Sequence, residues 1–365
     1  MNICIIGNGL VSVSLANNLI RKKINVHIFQ QKKTYNIKSN RTIGISKKNL
    51  KFFEKEIYKF SKKEIWKINK IEIYAEASTN NKILNFENDN ENLFYMVKND
   101  TLYESLNKQL LKSKFFKRIT IKKVDFYEKL MKEKKYDLVI NVESNNFFSK
   151  KYFTKKIFKD YNNLAYTTIL KHEKLKNNTA FQIFTKHGPI AFLPISDFET
   201  SVVCSLAVEK KKFDEEEILD LIKINNPKFK IRKILKLNCF KLTLSSLRNY
   251  YYKNILAFGD SLHRIHPLAG QGFNMTIRDI KILTKIIMNR CKLGLPLDSS
   301  INEEFENSIK HKNFIFSNGV DLIHEFFRIE RKTKSNILSK SVQLIGKNSS
   351  VNKMFAKIAD KGILF

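Results

Sequence analysis

The chain has little acid and no long apolar run. Thirty-five Asp and Glu stand against 67 Lys and Arg, a formal net charge of +32 over 365 residues. Such a surplus suits a nucleic acid or an anionic surface. The residue types that would build a nucleic-acid module are missing, however: there is no zinc-finger spacing and no aromatic RNA-binding signature. The lysines are scattered rather than gathered into one arm, and Asn, Ile and Phe are abundant with them, the mark of an AT-rich coding sequence. No nucleic-acid partner is expected. Cysteine is scarce too. Cys4, Cys204, Cys239 and Cys291 are far apart and no pair has metal or redox spacing, which reads as core thiols of a reducing compartment. No apolar segment reaches the roughly 20 residues of a membrane span, and the first apolar stretch is broken by Gly7-Asn8-Gly9 without a basic leader. A cytoplasmic chain is expected. With 43% hydrophobic residues it can bury a core shared by two domains.

Two glycine-bearing turns organise what is present. Asn2-Ile3-Cys4-Ile5-Ile6 is an apolar run stopped by Gly7-Asn8-Gly9, after which Leu15, Ala16, Leu19 and Ile20 recur at helical spacing and Asn25 to Phe29 forms a second apolar run. Strand, glycine turn, helix and strand make a βαβ unit of the kind that holds a pyrophosphate, with Gly7 permitting the turn and Gly9 letting backbone approach the ligand. The fingerprint departs at two places. Its third glycine is Ser12, and the acidic residue at the end of the second strand is Gln30, which can bond a ribose only as a neutral partner. The second turn follows the short strand Ile255 to Phe258 and reads GDSLHRIHPLAGQGFNMTIRD from Gly259 to Asp279. Asp260 offers an acceptor to a hydroxyl at what is expected to be a buried strand end. Gly270 and Gly272 precede a helical pattern from Met275 to about Met288, whose N-terminus adds partial positive charge for an electron-rich group.

The pattern GD-x-x-H-x-x-HP-x-AGQG-x-N-x-x-x-x-D resembles the second flavin-binding motif of the FAD-dependent aromatic hydroxylases (group A flavoprotein monooxygenases), in their ubiquinone-biosynthesis branch. The resemblance implies an α/β fold: a Rossmann-like FAD-binding domain (1–70, 95–155 and 245–300), an inserted mixed or antiparallel β-sheet substrate domain (71–94 and 156–244) and a helical C-terminal region (301–365). It implies FAD as cofactor. Asp260 would meet the ribityl chain, and the backbone of Gly270, Gln271 and Gly272, with Asn274 in the same motif, would face the flavin ring. No side chain is singled out as catalytic. Gly7, Gly9 and Gln30 would hold the pyrophosphate and ribose. Arg41, in the loop after the second strand, matches the family's arginine near the FAD; a solvated surface arginine is the alternative. Asn99 matches a motif Asn beside the FAD, and a plain helix N-cap explains it equally well. The implied activity is hydroxylation of the aromatic ring of a polyprenylated phenol in ubiquinone biosynthesis, with O2 and a flavin C4a-hydroperoxide, and with NAD(P)H as electron donor. A non-catalytic structural subunit of a quinone-biosynthesis complex and a flavin reductase of isoprenoid lipids are the alternatives.

The donor is put in question by one segment. Where the family has a Gly-Ala-Asp-Gly-like stretch after the strand Tyr136 to Ile140, this chain reads Asn141-Val142-Glu143-Ser144. Ile71 to Tyr74 and Ile83 to Phe86 resemble the first hairpin of the substrate domain around the turn Ser78-Thr79-Asn80-Asn81, and Tyr161 to Phe198 alternates like strands of a covering sheet. His263 and His266 at i, i+3 invite a metal, but no acidic or thiolate partner has ligand spacing and no metal is expected. After Asp298 the chain reads as helical. Val351, Met354, Phe355 and Ile358 form an apolar stripe flanked by Lys353, Lys357 and Lys361, which fits a helix packed on the body or a peripheral contact on the inner face of a membrane.

Overall fold

The computed structural model describes residues 1–31, 40–75, 82–87, 92–122, 125–133, 135–208, 213–264 and 271–333. The first βαβ unit is β1 (Asn2–Ile6), α1 (Leu10–Ile20) and β2 (Asn25–Gln30), followed by β3 (Thr42–Ser46), α2 (Lys47–Glu56) and β4 (Ile65–Ile68). Next come β5 (Lys70–Ala75), β6 (Lys82–Glu87), β7 (Phe94–Lys98), α3 (Asn99–Leu111), β8 (Phe116–Thr120), α4 (Phe126–Lys132), β9 (Leu138–Asn141) and α5 (Phe147–Tyr152). The middle of the chain is β10 (Lys156–His172), β11 (Thr179–Thr185), β12 (Gly188–Pro194), β13 (Glu199–Ala207), α6 (Glu215–Ile224), β14 (Ile231–Ile234) and β15 (Asn238–Leu247). It closes with β16 (Tyr251–Tyr252), β17 (Ile255–Ala257), β18 (His263–Arg264), α7 (Gln271–Lys292) and α8 (Ser299–Thr333).

The nucleotide-type sheet has the order β16-β17-β9-β1-β2-β8 and is parallel except at β16–β17. Its central strands carry apolar residues on both faces, as a parallel sheet covered by helices requires: Ile3, Cys4, Ile5, Ile6, Leu138, Ile140 and Leu256 are all buried. Cys4 and Cys204 are core thiols, while Cys239 and Cys291 are exposed. The second sheet runs β18-β15-β10-β13-β12-β11-β5-β6, with β14 paired to β10. It is antiparallel except where β5 joins β11 in parallel. Helix α6 starts at a capping box in which Asp214 and Glu217 satisfy each other's backbone N–H groups. It buries Ile218 and Ile222 on the outer face of this sheet against Phe192 and Cys204. A third sheet, β3-β7-β4, lies between the two. The architecture is the expected one: an FAD-type α/β domain, an inserted mixed sheet and C-terminal helices.

Local differences have local causes. Residues 94–98 pair as the middle strand of the three-stranded sheet, a role that an apolar run before a helix does not announce. β8 ends at Thr120. The stripe at 351–361 lies outside the described residues, as does the turn at 78–81. The expected cytoplasmic placement with a peripheral contact on the inner membrane face is therefore withdrawn: its supporting stripe is outside the described residues, and no described helix is long and apolar enough to cross a membrane.

Gly259 ends the strand segment after β17 at φ +61, and a Cβ there would come within 2.7 Å of Val11 Cγ1 on α1. Replacing it with alanine combines a left-handed conformation with overpacking, a cost of about 2–4 kcal/mol. Urea denaturation of Gly259→Ala should show this loss; an unchanged midpoint would mean that the turn does not seat against α1.

Candidate functional site

The parallel sheet brings the C-terminal ends of β1, β2, β9 and β17 to one edge, where both glycine turns sit. Gly7 has φ +120, its N–H donates to Phe29 O at 2.8 Å, and a Cβ would meet Glu143 Cγ at 3.0 Å. Only glycine suits that position. Gly9 is the N-cap of α1 in extended conformation, with no atom within 4 Å of where its Cβ would point. Open space therefore faces the first turn of α1, which carries no acidic side chain and so keeps its partial positive charge for an anion. Asn8 Oδ1, Ser12 Oγ and Gln30 Oε1 are buried and have no hydrogen-bond partner among the described residues. Orphaned oxygens of this kind call for a ligand or water. The residues present fit an adenine dinucleotide: backbone N–H groups and a hydroxyl for its pyrophosphate, and the Gln30 carboxamide for its ribose.

The second turn lies one strand away. Asp260 sits on a single 3₁₀ turn, Gly259–Ser261, and is exposed rather than buried, because the left-handed Gly259 swings the next residue outward. Gly270 and His266 lie outside the described residues. Gln271 opens α7, and among the described residues no atom lies within 4 Å of the Gly272 Cβ direction. Asn274 is buried, and its carboxamide is engaged within the protein. Nδ2 donates to Gly44 O at 2.8 Å, while Oδ1 accepts from Ser46 N at 3.0 Å and Asn49 Nδ2 at 2.9 Å. It ties the α7 N-terminus to β3 and α2 rather than presenting its carboxamide to a ligand.

Below the turn lies a buried polar group. His263 Nε2 is 2.7 Å from Asp279 Oδ2, with both side chains essentially inaccessible, and the Arg278 guanidinium grips Asp279 Oδ1 at 2.8 and 3.1 Å. Burial alone would push the Asp279 carboxyl up. The Arg278 charge and the hydrogen bonds from His263 and Arg278 outweigh it and hold the group below the usual carboxylate range. His263 Nδ1 is buried without a partner among the described residues. Among the described residues no cluster of metal-ligating side chains occurs.

Comparison with known proteins bears on the same turns. The family described as "FAD binding domain" matches residues 162–292. The ubiquinone biosynthesis monooxygenase COQ6 of Schizosaccharomyces pombe is 22% identical over 444 aligned positions covering 99% of this chain and 92% of that protein. The COQ6 of Danio rerio is 26% identical over 209 positions, 46% of this chain, and the match spans only 43% of that relative's length. The crystal structure of a single-substitution variant of Klebsiella pneumoniae HpxO complexed with FAD superposes with a TM-score of 0.75 at 10% identity, covering 99% of both chains. The chain is thus similar to FAD-binding, aromatic-hydroxylase-like flavoprotein monooxygenases, and fold and homology support FAD as its cofactor.

For a flavoprotein of this kind, the remaining candidates fall into two groups. Arg41 is exposed, and its guanidinium lies over the Phe240 ring at 4.7 Å, toward the second sheet. Asn99 is buried as the first residue of α3. Lys98 holds the N-cap position, so capping does not explain Asn99, whose N–H donates to Arg41 O at 3.0 Å. The segment Asn141 to Ser144 meets the dinucleotide turn directly. Asn141 is buried, bonding Ser149 Oγ at 2.8 Å and Asn146 Nδ2 at 2.6 Å, while Ser144 accepts from Arg264 Nη2 at 3.3 Å. Glu143 packs against Gly7, and burial pushes its carboxyl above the usual range. Sequence reasoning saw these residues only as departures from a motif. It did not see that Asn274 is a clasp or that His263, Arg278 and Asp279 form one network, although His263 and Asp279 stood in the quoted pattern.

Asp279→Ala strips a buried ion pair of one partner and should cost about 3–5 kcal/mol of unfolding free energy at neutral pH. Because the folded pKa is depressed, the parent's contribution is present above the ordinary carboxylate pKa and is lost as pH falls through the lower folded value. Urea denaturation of both proteins from pH 7 to pH 3 checks this: the gap between them should narrow only below about pH 4.

Proposed function

We propose that this FAD-dependent monooxygenase hydroxylates the aromatic ring of a polyprenylated phenol in quinone biosynthesis. The observation that carries the reading is the face that the second sheet turns toward the flavin domain. By register, Ile71, Ala180, Leu193, Ile169 and Val203 share that face, accompanied by the hydroxyls of Thr167 and Ser201. Ser201 Oγ accepts from Thr42 Oγ1 of β3 at 2.9 Å, and Ile169 and Ala180 cluster with Ile68 and Met96 of the three-stranded sheet, which identifies the side and covers that end of it, so that the half-buried Val203, with Ala191 beside it in register, is the part left for a ligand. The central positions carry no charge, and a nearby ion group, Lys98 with Glu199 at 2.6 Å, stands at the margin. An uncharged wall excludes a carboxylate-bearing ring and favours an apolar one. The two COQ6 relatives, both named as ubiquinone biosynthesis monooxygenases, support the same substrate class.

Bound FAD supplies the redox chemistry, taking up electrons and activating O2 for transfer to the ring. The chain's own residues bind, orient and exclude water. Gly7, Gly9 and the first turn of α1 hold the pyrophosphate, the Ser12 hydroxyl donates to it, and Gln30 accepts from the ribose. Asp260 accepts from a ribityl hydroxyl. The amides that open α7 at Gln271 and Gly272 present partial positive charge to an anionic ring system, an arrangement aimed by Asn274 and braced by the Asp279 network. The sheet wall holds the substrate's apolar body and keeps water out. NAD(P)H is the proposed donor, and the departure of Asn141-Val142-Glu143-Ser144 from the family's Gly-Ala-Asp-Gly-like stretch makes reduction by it slow.

The purified protein should release FAD, not FMN, on denaturation, and Asp260→Asn should weaken FAD binding by about tenfold or more, well beyond Arg41→Gln. Flavin-fluorescence titration of apoprotein measures both. A colourless protein that also ignores added FAD would favour the structural-subunit reading. In turnover assays, lengthening the prenyl tail by one isoprene unit should lower KM at least about tenfold where the wall covers it; indifference to the tail would remove the prenylated substrate. Anaerobic stopped-flow reduction by NADPH at a rate well below turnover with a faster artificial donor is the expected result for the donor site.

A further inference from the structure

A cleft lies between α2 and α7 at the far end of α1, with a volume of about 790 Å³. We infer that it is a binding site for a small oligophosphate-bearing ligand. Seven lysines line it, and the one carboxylate among the lining residues, Glu56, is already bonded by Lys22 at 2.6 Å. On α2, Lys51 and Lys55 are four residues apart on the cleft side; on α7, so are Lys281 and Lys285. Like charges at this spacing repel, and each pair destabilises its helix. Lys48 adds a cation in the first turn of α2, which has no acidic residue to balance it at the end where a helix disfavours positive charge. No described carboxylate pairs with Lys48, Lys51, Lys55 or Lys285. Two facing helices thus carry an arrangement that costs stability unless a multivalent anion lies between them.

The cleft is more than a basic surface. Phe52 and Met288 contribute an apolar floor between the lysine rows, and Lys281 Nζ stands 6.0 Å above the Phe52 ring. A concavity of this size matches a nucleotide rather than a protein face, and its charge matches the phosphates, with an aromatic ring for a base. α1, 11 residues long, separates Lys22 from the Gly9 turn by roughly 16 Å, so the cleft is distinct from the dinucleotide turn. The inference does not rest on the substrate reading.

Titration calorimetry of full-length, FAD-saturated protein at about 0.15 M salt would use three probes: tripolyphosphate, ATP and adenosine. Tripolyphosphate and ATP should bind, with Kd rising as salt is added, and adenosine should not. The exposed double substitution Lys51→Gln with Lys285→Gln should raise both Kd values about tenfold, leave FAD content unchanged and, by relieving both like-charge pairs, slightly raise the melting temperature of the protein without oligophosphate. Loss of ATP affinity alone in Phe52→Leu would identify a nucleotide; equal loss, or none, would identify any oligophosphate. The inference is overturned if the double variant binds both as the parent does, if neither binds below millimolar concentration, or if a single-stranded oligonucleotide binds more tightly than ATP through the same lysines.

Discussion

Everything at the candidate site depends on β9 being clasped between β1 and β17. The register sets Ile6 beside Asn141 and Asn141 beside Ala257, so three strands more than a hundred residues apart end at one level. Phe258 N then bonds Asn141 O at 2.9 Å and Val142 N bonds Ile6 O at 3.0 Å. These contacts carry Gly7, Glu143 and Gly259 to the same edge. The strands are apolar on both faces, so slipping the register would break a ladder inside a region with no water to replace its hydrogen bonds. The position of the turns is therefore as rigid as the core beneath them.

From that edge outward, polar groups decide direction. A helix N-terminus is useful only if it is aimed, and α7 is aimed by two devices on opposite sides: the Asn274 clasp to β3 and α2, and the buried Asp279 held by His263 and Arg278. Both are costly if half satisfied, which makes the helix start a defined object and not a frayed one. The same logic marks where a ligand belongs. Asn8, Ser12 and Gln30 hold buried oxygens without partners among the described residues, and a folded protein seldom leaves three such atoms beside an open glycine, Gly9, unless something completes them.

The excess of cations has more than one consequence. Part is absorbed at the surface by ion pairs such as Lys70 with Glu87 and Lys129 with Asp125, each worth little. Part is held off the inner face of the second sheet, which is uncharged at its centre. Part is concentrated along α2 and α7. Composition alone shows none of this partition, since the same charge spread evenly would have read identically.

The sequence by itself determined the elements whose signal is local. A glycine between an apolar run and a helical period can only turn the chain, so Gly7 and Gly9 were legible, as were the βαβ unit, the alternating strands of the second sheet and the helix α7. The FAD class was legible because the Gly259 to Asp279 pattern is long and specific. Tertiary structure alone decided what depends on residues far apart in the chain. It placed Glu143 against Gly7, gave Asn274 its partners at Gly44, Ser46 and Asn49, exposed Asp260, and set Arg41 over Phe240. It also removed the N-cap explanation of Asn99 by putting Lys98 there. The physical reason is common to these cases. A side chain's chemistry is fixed by what faces it, and for each of these residues the facing group arrives through sheet register or helix packing that no period in the sequence encodes.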